Sequence, residues 1–281
     1  MTVATAVERP SVDRLGLPAT LIAGAMLVGL WIIVALAADW LAPYGPLEQD
    51  LSRTLQGPST AHWLGTDNYG RDILARILYG ARLDLQIAVL GVLFPFLIGN
   101  LIGLLSGYLG GWTDVVAMRL LEVTMAFPFL VLVIAIIAVL GPGLSSLYVA
   151  LALVGWVSYA RLTRAQVLVL KSADFVSAAR VMGLGPWRVM WRHLLPNAVT
   201  PAAVFAMTDA VLVVLLGSAL SYLGLGAQPP AAEWGVMIAE GQQFLASAWW
   251  ICLFPGLAIV SLAMGLSLLA DGLAELLGTR P

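Results

Sequence analysis

The chain has 281 residues, of which 60% are hydrophobic and only 11% charged, and its formal net charge at pH 7 is −2. Soluble domains carry roughly 25% charged residues, so lipid must cover much of this molecule, and the absence of a basic excess argues against a nucleic-acid partner. The single cysteine, Cys252, excludes an intrachain disulfide, and neither His62 nor His193 has a neighbour at metal-motif spacing, so we expect no metal site.

Several stretches are long and apolar enough to cross a membrane, which takes roughly 20 helical residues. In chain order, the sequence predicts spans at 20–40, 85–108, 115–140, 146–162, 200–222 and 249–270. The predicted fold class is therefore an all-α integral membrane protein of about six transmembrane helices. The remaining divisions are an N-terminal tail (1–19), a loop with an amphipathic helix (41–84), a core (85–275) that includes the polar loop 163–199, and a C-terminal tail (276–281).

The basic residues predict the orientation, because lysine and arginine concentrate in cytoplasmic loops. The loop 163–199 and its approach have one acid, Asp174, and these basic residues: Arg161, Arg164, Lys171, Arg180, Arg188 and Arg192. We therefore expect this loop and both termini to be cytoplasmic, and 41–84 to be external. The first span could instead be a signal peptide, since Ala35-Leu36-Ala37 resembles a cleavage site, but its long apolar run favours a retained anchor.

The second span contains small residues at every fourth position. They are Gly91, Pro95, Gly99, Gly103, Gly107 and Gly111. This spacing keeps them on one helical face, where another helix can approach closely, and Pro95 should kink the helix.

Two segments outside the predicted spans contain residue types that are typical of turns and helix caps. Thr66, Asp67, Gly70 and Asp72 are turn and cap residues, and the segment 71–82 then has its apolar side chains on one side. This pattern predicts an amphipathic helix on the outer membrane surface or against a partner. Beyond the fifth span, Pro229 and Pro230 forbid a regular helix and predict a loop.

The segment 171–197 predicts two short amphipathic helices joined by a Gly-Leu-Gly-Pro turn. Ser172 is the expected N-cap of the first helix, Gly183 and Gly185 end it, and Pro196 ends the second. The predicted apolar stripes are Phe175, Ala178, Ala179 and Met182, followed by Trp187, Met190, Trp191 and Leu194. Such a pair could lie on the membrane surface, read DNA as a helix-turn-helix, or dock in a groove of a soluble partner.

The same segment resembles a family motif. The spacing of Ala178-Ala179, Gly183 and Leu195-Pro196 is similar to the EAA loop of ABC importer permeases, although Ser177 replaces the usual glutamate and His193 the usual isoleucine. Other segments resemble the dipeptide/oligopeptide/nickel permeases, in particular their shorter "C" subunit. They are 62–72, 79–82, 107–112, 161–164, 224–230, 233–235, 248–250, 254–258 and 271–273.

The resemblance implies a type I ABC importer permease fold in the bacterial inner membrane, and two groups of site residues. The implied ATPase-coupling residues are Phe175, Ala178, Ala179, Arg180, Gly183, Gly185, Leu195 and Pro196. The residues implied to face an external substrate-binding protein are Asp67, Arg71, Asp72, Gln228, Glu233 and Trp234.

The resemblance also implies partners. These are a second, homologous permease, two cytoplasmic ATPase subunits that hold ATP and Mg²⁺, and the external binding protein. The chain itself has no Gly-x-x-x-x-Gly-Lys-[Ser/Thr] phosphate loop, so we expect it to have no catalytic residue and to bind no cofactor. Peptides are the implied substrates, with nickel chelates, glutathione and opine-like compounds as alternatives.

Asp209 lies near the middle of the fifth predicted span. A lone acid there costs roughly 3 kcal/mol on insertion scales. It should therefore line a pathway, or form a hydrogen bond within the bundle, for example with Asn100 or a serine. Arg119 and Glu122 are three residues apart in the third span and should pair with each other.

Two other function classes compete with an importer subunit. A stand-alone secondary transporter or channel would need inverted repeats and paired ion ligands inside the membrane. The sequence shows no convincing repeat, and Asp209 is the one candidate ion ligand. A membrane enzyme would need a cluster of histidines, cysteines or acids at the interface, and the sequence has no such cluster.

Overall fold

The structure is a computed structural model that describes residues 17–276. Within this range the chain is helical, with one isolated bridge between Thr66 and Asp72. The α-helices are α1 (Ala19–Leu41), α2 (Ile73–Leu109), α3 (Gly111–Met125), α4 (Phe129–Leu140), α5 (Leu144–Leu170), α6 (Asp174–Val181), α7 (Pro186–Val189), α8 (Leu195–Tyr222), α9 (Trp234–Gly241) and α10 (Trp250–Leu276). The predicted tails lie almost entirely outside the described residues.

The number of membrane-crossing helices agrees with the sequence prediction. In the described range α1, α2, α5, α8 and α10 are each long and apolar enough to cross a membrane, and α3 with α4 makes up to one more. The predicted span 115–140 is not one straight helix, because α3 and α4 meet at an angle of 91°. Pro128 stands directly before α4 with an extended ψ of 130°, and proline has no N–H with which to continue the helix from α3.

The predicted amphipathic helix at 71–82 is not a separate surface element, and that prediction is wrong. Its residues form the first turns of α2, which runs through 37 residues. The Asp72 carboxylate caps this helix by accepting from the Ala75 N–H at 2.7 Å. Ile73 and Ala81 are fully buried in the chain's own core. No residue between this segment and the second span breaks a helix, so the two join.

The glycine-lined face of α2 packs on α5, as the four-residue spacing predicts. A Cβ at Gly103 would lie 2.5 Å from the Ala160 carbonyl oxygen, and a Cβ at Gly107 would lie 3.0 Å from Val167. Gly155 of α5 faces the Pro95 ring in return, at 3.1 Å. Gly111 does not belong to this face, since α2 ends at Leu109 and a Cβ on Gly111 would meet nothing within 4 Å.

Two polar side chains inside the bundle, Asn100 and Thr163, are hydrogen-bonded within the chain. Thr163 donates its hydroxyl to the Asn100 side-chain oxygen, and Asn100 donates to the Phe96 carbonyl at 2.7 Å. The expected pair of Arg119 and Glu122 is present at 2.7 Å on an exposed face of α3.

The α2–α5 contact makes a testable prediction. Gly103→Ala should lower the free energy of unfolding by about 1–3 kcal/mol, because the methyl group would be forced against a backbone carbonyl. Gly29→Ala in α1 is the matched control, since a Cβ there meets nothing within 4 Å. The measurement is the unfolding equilibrium of the purified protein in a lipid or detergent environment. Equal stability of the two variants would contradict the packing role of this face.

Candidate functional site

Residues 171–194 are anchored to one end of α2 and α5, and they are here called the coupling segment after the role that we propose for them below. Val176 and Ala179 of α6 are buried and pack in one cluster with Leu104 of α2 and Val167 of α5. Polar contacts support the same attachment. The Lys171 ammonium donates to the Gly107 carbonyl at 3.0 Å, and the Arg180 guanidinium lies 5.4 Å from the centre of the Tyr108 ring.

Gly183 ends α6 in a left-handed conformation. Its φ is +80°, its N–H donates to the Arg180 carbonyl at 2.9 Å, and the Leu184 N–H donates to the Ala179 carbonyl at 3.1 Å. These two bonds form a Schellman motif, in which glycine avoids the steric cost of the left-handed region. Gly185 has an ordinary φ of −64° at the N-cap of α7, so its conformation does not require glycine.

The apolar stripe predicted for α6 faces outward at three of its four residues, and Ala179 is the exception. The chain buries Val176 and Ala179, whereas Ala178 and Met182 are exposed. The exposed fractions of the large apolar side chains are 43% for Phe175, 89% for Val181, 73% for Met182 and 63% for Trp187. Ser172 does not cap α6, because its hydroxyl donates backwards to the Val169 carbonyl.

Pro196 does not end the second helix of the coupling segment, contrary to the prediction. The helix widens into a π-helical turn at Met190–Leu194 and continues as α8, with Pro196 in the first turn. Proline is tolerated there because the wider turn already departs from the regular hydrogen-bond ladder. Leu195 is half-buried and Pro196 is exposed. Met190 and Leu194 are buried, so one side of this predicted stripe does face the core.

The opposite end of the bundle has a buried network of ion pairs. Asp67 Oδ2 accepts from Arg71 Nε and from Arg76 Nη1, both at 2.6 Å. Both arginines also pair with Glu240 Oε2 at 2.9 Å. Asp67, Arg71 and Arg76 are each at most 2% exposed. The network therefore joins the loop 42–72 to the start of α2 and to α9.

Asp72, Glu233 and Trp234, which were also predicted to face a binding protein, are buried as well. His62 Nδ1 lies 2.9 Å from Asp72 Oδ1, and Trp234 donates its indole N–H to the Ile77 carbonyl at 3.1 Å. Glu233 is fully buried and caps α9 through the Val236 N–H at 2.8 Å, and burial raises its pKa.

Of the six residues expected to face a binding protein, only Gln228 is exposed. That prediction is therefore corrected for the other five, namely Asp67, Arg71, Asp72, Glu233 and Trp234. Their side chains hold the loops together within the chain and present little or no surface to a partner.

Asp209 lines a cavity of about 300 Å³ between α2, α5, α8 and the break between α3 and α4. Its hydrogen-bond partner is Tyr159, whose hydroxyl donates to Asp209 Oδ2 at 2.7 Å, and neither Asn100 nor a serine takes that place. The same cavity is lined by Arg161, Ser158 and Thr124.

Sequence reasoning missed Tyr159, Arg76 and Glu240 as members of these sites. Tyr159 lies on the same face of α5 as Trp156 and Thr163, at helical spacing, but that spacing does not reveal which helix opposes it. Glu240 is 169 positions from Arg71, and its signal in the sequence is only a single acid within a short apolar segment, which folds as α9.

The comparisons with known proteins agree on a family. A family model described as "binding-protein-dependent transport system inner membrane component" matches residues 99–281. The chain belongs to this family. The permease is 40% identical to the dipeptide transport system permease protein of Alkalihalophilus pseudofirmus, covering 92% of this chain and 85% of the relative. It is 41% identical to the corresponding dipeptide permease of Escherichia coli K12, covering 92% and 88%.

A third relative and two solved structures extend the comparison. The glutathione transport system permease protein of Pectobacterium atrosepticum is 40% identical, covering 92% of the permease and 86% of the relative. The fold resembles the MetNI methionine ABC transporter in inward-facing conformations, with a TM-score of 0.55, 18% identity, and coverage of 71% and 94%. An amino acid ABC transporter has a TM-score of 0.53, 18% identity, and coverage of 70% and 92%. The chain is thus an inner-membrane permease subunit of an ABC importer, with an importer-permease fold.

The buried ion-pair network leads to a prediction about stability. Asp67→Asn should lower the free energy of unfolding by about 3–5 kcal/mol, because among the described residues it leaves two buried guanidinium groups with Glu240 as their one remaining carboxylate. Glu122→Gln, which breaks an exposed ion pair on α3, should not change stability measurably. Thermal unfolding of the purified permease distinguishes them. A melting temperature of Asp67→Asn equal to that of Glu122→Gln would contradict the role of the network.

Proposed function

We propose that this permease pairs with a second, homologous permease and two cytoplasmic ATPase subunits to import dipeptides or oligopeptides delivered by an external binding protein. The names of the relatives, which are dipeptide and glutathione permeases, support this substrate class. ATP and Mg²⁺ would be held by the ATPase subunits, since the chain lacks a phosphate loop. In this arrangement the loop 163–199 and both termini are cytoplasmic.

The observation that carries the proposal is the exposed apolar surface of the coupling segment. Val181, Met182 and Trp187 project from a segment whose other side is packed on α2 and α5. Several large apolar side chains left exposed on one firmly attached element are typical of a protein interface. Movement of an ATPase subunit bound there would be transmitted to α2 and α5, which are two of the helices that line the cavity beside Asp209.

Two alternatives for the coupling segment predict different outcomes. If the segment lay flat in lipid headgroups, its exposed tryptophans would be shielded by lipid and no ATPase subunit would be recovered with the permease. If the permease were a secondary transporter, the purified chain alone would move substrate into liposomes. The importer requires the assembled complex and ATP for uptake.

Docking of the ATPase on the coupling segment can be tested directly. Val181→Asp should reduce recovery of the ATPase subunits with the tagged permease about tenfold or more, because it places an unpaired charge in an apolar interface. Leu51→Asp is the control, since Leu51 is 70% exposed on the loop 42–72, away from the coupling segment. Equal recovery with the two variants would contradict docking at Val181.

Substitution of Gly183 provides a second test of the coupling between ATP hydrolysis and import. Gly183→Val should leave membrane insertion intact but lower the amount of substrate imported per ATP hydrolysed, since the left-handed turn that sets the direction of the coupling segment would be strained.

The matched control is Gly224→Val. Gly224 ends α8 with a φ of +76°, and the Gly224 and Leu225 N–H groups donate to Ser221 and Leu220 in the same Schellman pattern. The backbone strain is therefore similar, but it lies at the opposite end of α8 from the coupling segment. A normal ratio of uptake to hydrolysis in Gly183→Val, or the same loss in both variants, would refute the role of Gly183.

A further inference from the structure

The cavity beside Asp209 has walls that the sequence builds at helical spacing. On α5 the residues Leu151, Val154, Ser158 and Arg161 follow one another at three or four positions. Gly91 and Pro95 form the wall on α2, and Asp209 and Val213 complete it on α8. Residues on either side of the break between α3 and α4, Met125 and Phe129, close the remaining side. Broken helices next to a cavity within the membrane are a recurring feature of transport sites.

Two opposite charges line this cavity without neutralising each other. In the described part of the chain, neither Asp209 nor Arg161 forms an ion pair with another residue. Asp209 accepts one hydrogen bond, from Tyr159, and Arg161 contacts the thioether sulfur of Met125 at 3.2 Å. A thioether is a weak acceptor, so the guanidinium retains most of its capacity to donate. Arg161 is exposed, near the end of α5 that leads into the loop 163–199. Asp209 instead lies in the middle of α8, where a charged group inside the membrane is costly and marks substrate or ion pathways.

We propose that this cavity is a transit site for a short peptide with free termini, in which Asp209 binds the α-ammonium group and Arg161 binds the α-carboxylate. A planar guanidinium can bind a carboxylate through two parallel hydrogen bonds, and Asp209 Oδ1 has no hydrogen bond to a described residue. Ser158 and Thr124 line the same space and can reach backbone amides of the ligand.

The size of the cavity agrees with this ligand. Small-molecule sites begin at roughly 300 Å³, and an extended dipeptide spans roughly 7 Å at 3.3–3.6 Å per residue. Longer peptides would have to pass in stages or extend toward a second permease. The substrate class rests on the proposed function, whereas the assignment of each terminus rests on the two unpaired charges.

Ligand protection of an introduced cysteine tests the site without relying on the binding protein. Ser158→Cys is introduced with Cys252→Ala, and the assembled complex in lipid nanodiscs is alkylated with N-ethylmaleimide. Dialanine should slow the alkylation. N-acetyl-dialanine and dialanine amide should each need an about tenfold or higher concentration for the same protection, because each lacks one charged hydrogen-bonding terminus.

Charge-removing variants assign the termini. Asp209→Asn retains an oxygen that can accept from Tyr159 but loses the charge, so dialanine and N-acetyl-dialanine should protect equally, while discrimination against dialanine amide persists. Arg161→Gln should give the converse result. Arg119→Gln and Glu122→Gln, which alter charges outside the cavity, should retain both discriminations.

The results of these experiments distinguish failure of the transit site from failure of the proposed function. If dialanine is imported by the wild-type complex with ATP and binding protein, yet fails to protect the introduced thiol or protects it no better than the blocked forms do, the transit site is wrong and the importer stands. Failure of the introduced thiol to react in any state also overturns the site. If the complex hydrolyses ATP but imports no dipeptide, the peptide class fails and the zwitterion assignment fails with it.

Discussion

The close approach of α2 and α5 is the contact on which the rest of the permease depends. Glycines on α2 remove the side chains that would separate the two helices, so backbone and β-carbon atoms meet directly. Lipid offers little hydrophobic driving force for helix association, and such close packing therefore supplies much of the stability. The same two helices line the cavity at Gly91, Pro95 and Ser158 and carry the coupling segment through Gly107 and Val167.

The two ends of the bundle differ in which side chains they bury and which they leave exposed. The loops at the end near α9 bury their charges in a network centred on Asp67 and Glu240, which fixes a long connection that lacks a core of its own. The coupling segment instead keeps apolar side chains such as Val181 and Trp187 exposed while its inner face is packed. Exposed apolar groups of this kind occur at protein or membrane interaction sites, and the ATPase contact proposed above would cover them.

Glycine has two separate structural roles in this chain, and the amino-acid sequence alone does not distinguish them. Along α2 the glycines allow close approach at ordinary helical conformations. Gly183 and Gly224 instead occupy left-handed positions in Schellman motifs, with open space where a Cβ would be. Gly185 belongs to neither class, although it stands in the same predicted turn as Gly183. The consequence of a substitution therefore differs from site to site.

The sequence alone determined the features that depend on local pattern. These are the helical membrane spans, which follow from the length of each apolar run; the packing face of α2, which follows from four-residue spacing; and the turn at Gly183, which follows from local backbone conformation. It also determined the family, because several motifs occur in register.

Only the tertiary structure decided which groups meet. The partner of Asp209 is 50 positions away, and one of the two carboxylates that pair with Arg71, Glu240, is 169 positions away. Whether a charge is buried depends on such distant contacts. The direction of α6 was likewise set by the surface of α2 and α5, which covers Val176 and leaves Phe175 exposed. Helical periodicity identifies a face, but the neighbour that covers it is a property of the fold.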